Sequence, residues 1–564
     1  MNTQVQVEAT KKFFDVSRSI AEKFIQTVVA VDDKITFGVS QNNTLEEPIQ
    51  VVEPSQDISG IGEIAQEQAS SVISESINNQ DSNELNYQEL SESFAEKSIL
   101  CTALKTFNGV DGEEKTIKAT LNLAKKADIT ILDWQMENDA TRHGKIAKGV
   151  IEQLLAHDVS NNGRLRLILV YTSELVSHVL RALEAGLTSF GASIQEDKEI
   201  IFDGQNLSLC KIVVINKQLE TQGLVNQSIN EFTHMTCGLL SNATLAAITE
   251  IRDRTHHHLY KFNKNLDTAY ISHILGLVSS KDMRESSYDV AFDYAVELIS
   301  EELKSNLQIS KIVKDSLDSK SLEVWPQHVN PSDQIIHSII VGDRAAVKFN
   351  NDRMERFLTV KDEEALGQVL SEEPAFHGSN IEKKLSNFAS STIQFELSQS
   401  SEQAHLELSA IECLRRDIVN NTDVNPVLKQ GTILKQNENY FVCIQPICDS
   451  VRLEDNTNFL FLKAEKVGEK KFSHVLRVGN NEYKTVKFKP LSKFVCLMTF
   501  SPENKMIRAE KNNDKFIFKS VNGENFEWCG EFKQAIYQEI VNAVSGSIAR
   551  VGFDSFEWLR LRKS

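Results

Sequence analysis

The 564-residue chain lacks any apolar run that reaches the ~18 residues a membrane helix needs, which excludes a helical membrane span. Its first residues, Met1-Asn2-Thr3-Gln4-Val5, have neither a basic flank nor an apolar core. No secretory signal is expected, and the expected compartment is the cytoplasm. Cysteine is sparse. Eight are scattered along the chain, as reduced core thiols would be. Positive charge is also short: 61 Lys and Arg face 79 Asp and Glu, a net charge of −18 that argues against a general nucleic-acid binder. The deficit is sharpest from Gly38 to Ala95, where there is no Lys or Arg and eleven Asp and Glu lie among Gln, Ser and Asn. Such a segment buries too little apolar surface to offset its ordering entropy, so 38–83 is expected to be a disordered acidic insertion.

Four short apolar runs stand against these absences. Thr27 to Val31 ends on Asp32-Asp33, Ala127 to Leu132 on Asp133, Leu165 to Tyr171 on Thr172-Ser173, and Lys211 to Ile215 on Asn216-Lys217. Short runs rich in β-branched residues are those of parallel strands buried on both faces. In an open α/β sheet, ligands bind at the carboxyl ends of such strands, which gathers these polar tips into one crevice. Helical stretches at Glu84 to Leu100, Glu113 to Lys126, Arg142 to His157 and Glu174 to Ala185 alternate with the runs as crossover helices do. Cys101 to Phe107 reads as a further strand, and Glu199 to Leu209 as an added hairpin. Three carboxylates in one crevice would raise each other's pKa unless a hard divalent cation such as Mg2+ joined them. Each residue has a plainer reading, since Asp32-Asp33 could cap a helix and Lys217 could be a solvated lysine. Their order at successive strand ends favours a site.

An acid pair, a lone Asp, a hydroxyl and a Lys in that order make residues 25–222 resemble the two-component response-regulator receiver family. The resemblance implies a flavodoxin-like doubly wound α/β fold with Asp133 as phosphoacceptor. It also implies Mg2+ held by Asp32, Asp33, Asp133 and Gln135, Thr172 against a phosphoryl oxygen, and Lys217 neutralising charge. The chemistry agrees: a phosphoryl group in flight spreads negative charge that positioned cations and donors stabilise, and a carboxylate can carry the group covalently. The chain departs from the family at several points. No proline follows Asp133 within Trp134-Gln135-Met136-Glu137, Ser173 stands where a small apolar residue is common, and Gln218 replaces the proline after Lys217, which keeps Lys211 as a second candidate. Ile215 occupies the place of the usual aromatic switch residue.

Residues 5–24, with Phe13, Phe14, Ile20 and Phe24 near helical spacing, read as an N-terminal packing or dimerising helix. From 226 to 420 the chain reads as helical, with helices at Tyr288 to Leu307, Pro331 to Ile340 and Asn380 to Ile418. His256-His257-His258 splay around a helix at roughly 100° each, so they cannot converge on one ion. From 425 onward a β-rich α+β domain is expected, opening with a hairpin at Gly431–Lys435 and Tyr440–Ile444 and closing with a helix near Phe532 to Ser545. Cys443 and Cys448 lack the second pair that a zinc site needs and read as core thiols. Phe526-Glu527-Trp528 and Phe556-Glu557-Trp558 read as buried anchors.

No kinase, cyclase, nuclease or hydrolase motif follows the receiver stretch. The layout resembles the receiver proteins that buffer phosphoryl groups in Detocs-type bacterial anti-phage systems. That likeness implies a histidine-kinase-like sensor as partner, a second receiver fused to an effector, and a phosphoryl sink or relay. The competing expectations are a phosphorylation-gated effector with activity in its tail, and a pseudo-receiver scaffold that binds no Mg2+.

Overall fold

The computed structural model describes residues 2–35, 85–137, 142–217, 221–281, 283–284, 287–332, 334–341, 346–372, 393–397, 402–419, 424–465, 472–513 and 515–549. The acidic insertion, Gln218 and the Phe556-Glu557-Trp558 anchor lie outside them. Contacts divide the chain into two units, Met1–Glu250 with Lys311–Pro331 and Ile251–Ser310 with Ser332–Ser564.

In the first unit, helix α1 (Asn2–Phe24) leads into β1 (Thr27–Asp32), followed by α2 (Tyr87–Ala95), β2 (Leu100–Lys105), α3 (Gly112–Ala124) and β3 (Ile129–Asp133). Then come α4 (Lys145–Ser160), β4 (Arg166–Thr172), α5 (Val176–Gly186), β5 (Ala192–Gln195), β6 (Glu199–Phe202), β7 (Cys210–Asn216), α6 (Thr221–Thr236) and α7 (Leu239–Asp253). The strands form one sheet in the order β2-β1-β3-β4-β7-β6-β5. The first five are parallel, while β6 runs antiparallel to β7 and β5 antiparallel to β6.

Strand alternation builds both faces of this sheet. Val29, Val31, Leu132, Ile168, Val170, Ile212 and Val214 point to one face, where they pack with Ala124 of α3, Val150 of α4 and Leu180 of α5. Their neighbours Val28, Ala30, Ile129, Ile131, Leu167, Leu169, Val213 and Ile215 point to the other, against Phe94 of α2, Phe24 of α1, Phe232 of α6 and Leu245 of α7. Both faces are apolar because both are covered, as expected of a doubly wound parallel sheet. A further helix, Ser319–Val329, returns to this unit and sets His328 against Phe13 with ring centroids 4.5 Å apart.

The added hairpin exists but lies earlier than Glu199 to Leu209. Its turn runs through Glu196 and Asp197, both with positive φ, a conformation that fits the twist of paired strands. Residues Gln205–Leu207 form a short 3-10 turn instead of a strand.

The second unit opens with helices Thr255–Lys261, Asp267–Ser279 and Ser287–Ile309. Two helical expectations fail here. His337–Val341 is a strand, and Ile393–Leu397 pairs antiparallel with it while Val347–Phe349 lies on its other side. Ile393, Phe395 and Leu397 alternate with Gln394 and Glu396, a period of two that a search for long helices overrides. Helix Glu402–Cys413 is the described helical part of the long segment.

The β-rich part forms an antiparallel sheet that carries both strands of the expected hairpin, Thr432–Gln436 and Asn439–Cys443. A bridge from Phe500 to Ser520 brings Val495–Phe500 and Lys515–Lys519 together, curling the sheet toward closure. One face holds an aromatic core that includes Phe459, Phe461, Phe500, Phe518 and Trp528. The other packs on helices Glu402–Cys413 and Gln534–Ile548. Cys443 is buried as expected, but Cys448 is exposed, because it sits in the 3-10 turn Ile447–Asp449 rather than in a strand. Among the described residues no helix is long and apolar enough to cross a membrane.

Candidate functional site

Parallel strands that start together end together, so the register of the sheet decides which side chains meet. Leu132 lies beside Val31 and Asp133 beside Tyr171, while Thr172 lies beside Asn216. The residues just past these positions therefore share the carboxyl end of the sheet. Asp32, Asp33 and Asp133 each bring a carboxylate oxygen within 4.8 Å of the other two. Asp32 and Asp133 are buried, and Asp33 is half-buried. Lys217 reaches into the group, with Nζ 2.8 Å from Asp133 Oδ2 and 3.5 Å from Asp32 Oδ2. It is steadied by the Tyr171 ring, whose centroid is 5.5 Å from Nζ.

The electrostatics follow from burial. Desolvation and the charge of Asp133 push the Asp32 carboxyl up to about 6, against the pull of Lys217. Asp33 is raised for the same two reasons. Burial works to lower the Lys217 pKa, but Asp133 and Asp32 outweigh it and the ammonium is held above its ordinary value. One lysine does not satisfy three carboxylates. Asp32 Oδ1 accepts from Lys34 N at 2.6 Å and Asp133 Oδ1 from Gln135 N at 3.1 Å, whereas the buried Asp33 Oδ1 has no hydrogen-bond partner. A buried acceptor without a donor costs about 1–3 kcal/mol. A cation would remove that cost, and an all-oxygen set suits Mg2+.

The remaining expected residues fall around this cluster. Thr172 is fully buried, its Oγ1 accepting from Glu174 N at 3.0 Å and its carbonyl from Lys217 N at 2.7 Å. Gln135 directs its side chain to Ser173 and Glu174. Lys211 belongs elsewhere. It pairs with Leu167 early in β7 and is buried in ion pairs with Glu199 and Glu231, at the opposite end of the sheet. Ile215 is a core residue, as an aliphatic side chain within a buried strand should be.

Three residues escaped the sequence reading. Tyr171 faces Lys217, but nothing in a buried strand distinguishes it from other core aromatics. Glu137 accepts from Gly144 N at 3.0 Å and Ile146 N at 2.5 Å, capping α4. A carboxylate shortly before a helix is a readable signal for that role. His143 binds Glu174 across 31 residues, and no local pattern announces it.

Fold and site together define a phosphoryl-accepting signalling module, with a doubly wound sheet that ends in an acid cluster and a lysine. In agreement, residues 24–222 match the family described as "Response receiver domain", and this segment is a response-regulator receiver domain. No curated protein and no solved structure matches the chain.

Proposed function

We propose that Asp133 is the phosphoacceptor and that this protein takes a phosphoryl group from a phosphohistidine on a histidine-kinase-like partner, serving as sink or relay. The observation that carries this reading is Lys217 spanning Asp133 and Asp32 beside an Asp33 oxygen that has no hydrogen-bond partner among the described residues. Asp32, Asp33 and Asp133, with Gln135 beside them, would hold Mg2+, which when bound supplies positive charge against the equatorial oxygens of the transferring group. Asp133 supplies the nucleophilic oxygen. Lys217 remains protonated in the pocket and so offsets charge on the phosphorylated side chain. The Thr172 hydroxyl has a hydrogen to donate to a phosphoryl oxygen while it accepts from Glu174 N.

The test is to incubate the purified full-length chain with a small phosphodonor and Mg2+ and measure acid-stable, base-labile phosphate on the protein. Label on the wild type and none on Asp133→Asn is expected; equal labelling of both would reject Asp133. The defence-system reading is a finer proposal, tested by whether a kinase-like partner encoded nearby transfers its phosphoryl group to this chain. A tail with no enzyme motif is what supports a sink over an output enzyme.

A further inference from the structure

Helix Asp267–Ser279 has no buried residue, and apart from Asp267 at its start it carries no formal charge. A helix of that composition belongs in an interior. Its neighbour, Ser287–Ile309, buries only Ser287 and Ala291. The two run antiparallel: Lys261, upstream of the first, pairs with Glu302 late in the second, while Tyr270 Oη donates to the Ala291 carbonyl at 2.9 Å. His273 lies against Tyr294 in the same seam, with ring centroids 4.6 Å apart.

Charge and apolar surface are sorted to different sides of this hairpin. Asp289 and Asp293, one turn apart, face the β-rich part, where Asp289 takes Arg508 Nη2 at 2.6 Å and Asp293 lies 4.0 Å from Lys429 Nζ. Ile271 and Leu275 on one helix, and Tyr288, Phe292, Val296 and Ile299 on the other, are between 44% and 71% exposed. In each helix these positions lie roughly a third of a turn onward from the residues that face the neighbouring helix, which in an antiparallel pair puts both sets on one side.

We propose that this side of the hairpin is where a second copy of the chain docks, the two hairpins forming a four-helix bundle about a two-fold axis. The open area suits it. With aromatic side chains near 200 Å² and aliphatic ones smaller, the six leave roughly 500 Å² of apolar surface uncovered. That is about the apolar share of the ~800 Å² that each partner gives to a standard interface. Charge agrees with area. None of the six is charged and both aspartates are engaged elsewhere, so two chains of net charge −18 meet here without opposing like charges. A different protein would have to be selected by charges that this face does not carry, whereas an isologous contact needs only one patch that complements itself.

The full-length chain is passed over a size-exclusion column with light scattering across a concentration series. The mass of two chains is expected, falling to one on dilution. Phe292→Glu and Ile271→Glu each place a charge that is open to water in the single chain and buried in the pair, and each should raise the dimer dissociation constant by about a hundredfold. Leu497→Glu, at a comparably exposed apolar position in the β-rich part, should leave the dimer intact. Because the substituted sites are exposed in the single chain, far-ultraviolet circular dichroism of the variants should match the wild type. Should one hairpin variant fail that check, the other carries the comparison from a separate helix. A wild type that is monomeric throughout would overturn the inference, including one that floats with phosphatidylcholine vesicles. A dimer that survives both hairpin substitutions, or that Leu497→Glu disrupts equally, would overturn it as well.

Discussion

Lys217 Nζ sits 2.8 Å from Asp133 Oδ2 while also facing Asp32, so one ammonium is shared between two buried carboxylates. The two carboxylates carry the excess negative charge of the pocket, and the lysine is the cation that competes with any metal for it. Lys217→Met should therefore cut labelling of Asp133 by about a hundredfold, the scale of losing one preorganised charge at a transition state. Mg2+ affinity should stay equal or rise, since the ion then replaces the missing charge. Parallel labelling and metal titrations check both halves.

Metal binding should depend on pH through Asp32. Its folded pKa of about 6 lies above the ordinary 3.8, so its contribution to stability without metal is fully present below 3.8 and is lost as pH rises through about 6. Mg2+ reverses the sign, because it binds the deprotonated form. Apparent Mg2+ affinity should fall about tenfold for each pH unit below that value, if one proton is displaced per ion. Thermal melts with and without Mg2+ at roughly pH 5 and pH 8 should show stabilisation chiefly at the higher pH. Equal stabilisation at both would refute the assignment.

A buried ion pair holds α4 to the start of β4. Arg166, fully buried, donates to Asp158 through Nε at 2.5 Å and Nη2 at 3.0 Å, and to the Ala124 carbonyl through Nη1 at 2.6 Å. Asp158→Ala leaves a buried guanidinium unpaired and should cost about 3–5 kcal/mol, whereas replacing both partners by Leu and Met should cost less than either single change. Denaturant unfolding of the three variants measures the difference.

Gly144 has φ of +79° and lies against Trp134, where an added Cβ would come 2.2 Å from the ring. Gly144→Ala should displace the indole or the loop that Glu137 caps, destabilising the protein by about 1–3 kcal/mol and shifting Trp134 emission. An unshifted spectrum and unchanged stability would show that the loop yields freely.

The receiver fold is legible in the sequence because its strands are buried on both faces, which writes them as continuous apolar runs whose polar ends mark the crevice. Asp32, Asp33, Asp133, Thr172 and Lys217 stand out as candidates from the sequence alone, since each ends or closely follows such a run. Lys211 remains beside them only because charge within a strand looks the same at either end, and its partners Glu199 and Glu231 come from other segments of the chain. The contacts that link Ser173, Gln135, Glu174 and His143 are invisible for a related reason: every one of them is made by tertiary proximity. In the second unit, strands of three to five residues among helices give too short a pattern to outweigh the longer periodicity around them.

The pairing of Phe13 with His328 shows that the first unit is completed by a part of the chain far from the rest of it in sequence. Protein excised at residue 222 would lose α6 and with it the cover over Phe24 and Ile215, trading a filled interior for an oily wound. Recombinant work on phosphoryl acceptance is therefore best done on a piece that retains 311–331, because the minimal sequence signature and the minimal folded body are different lengths of polypeptide.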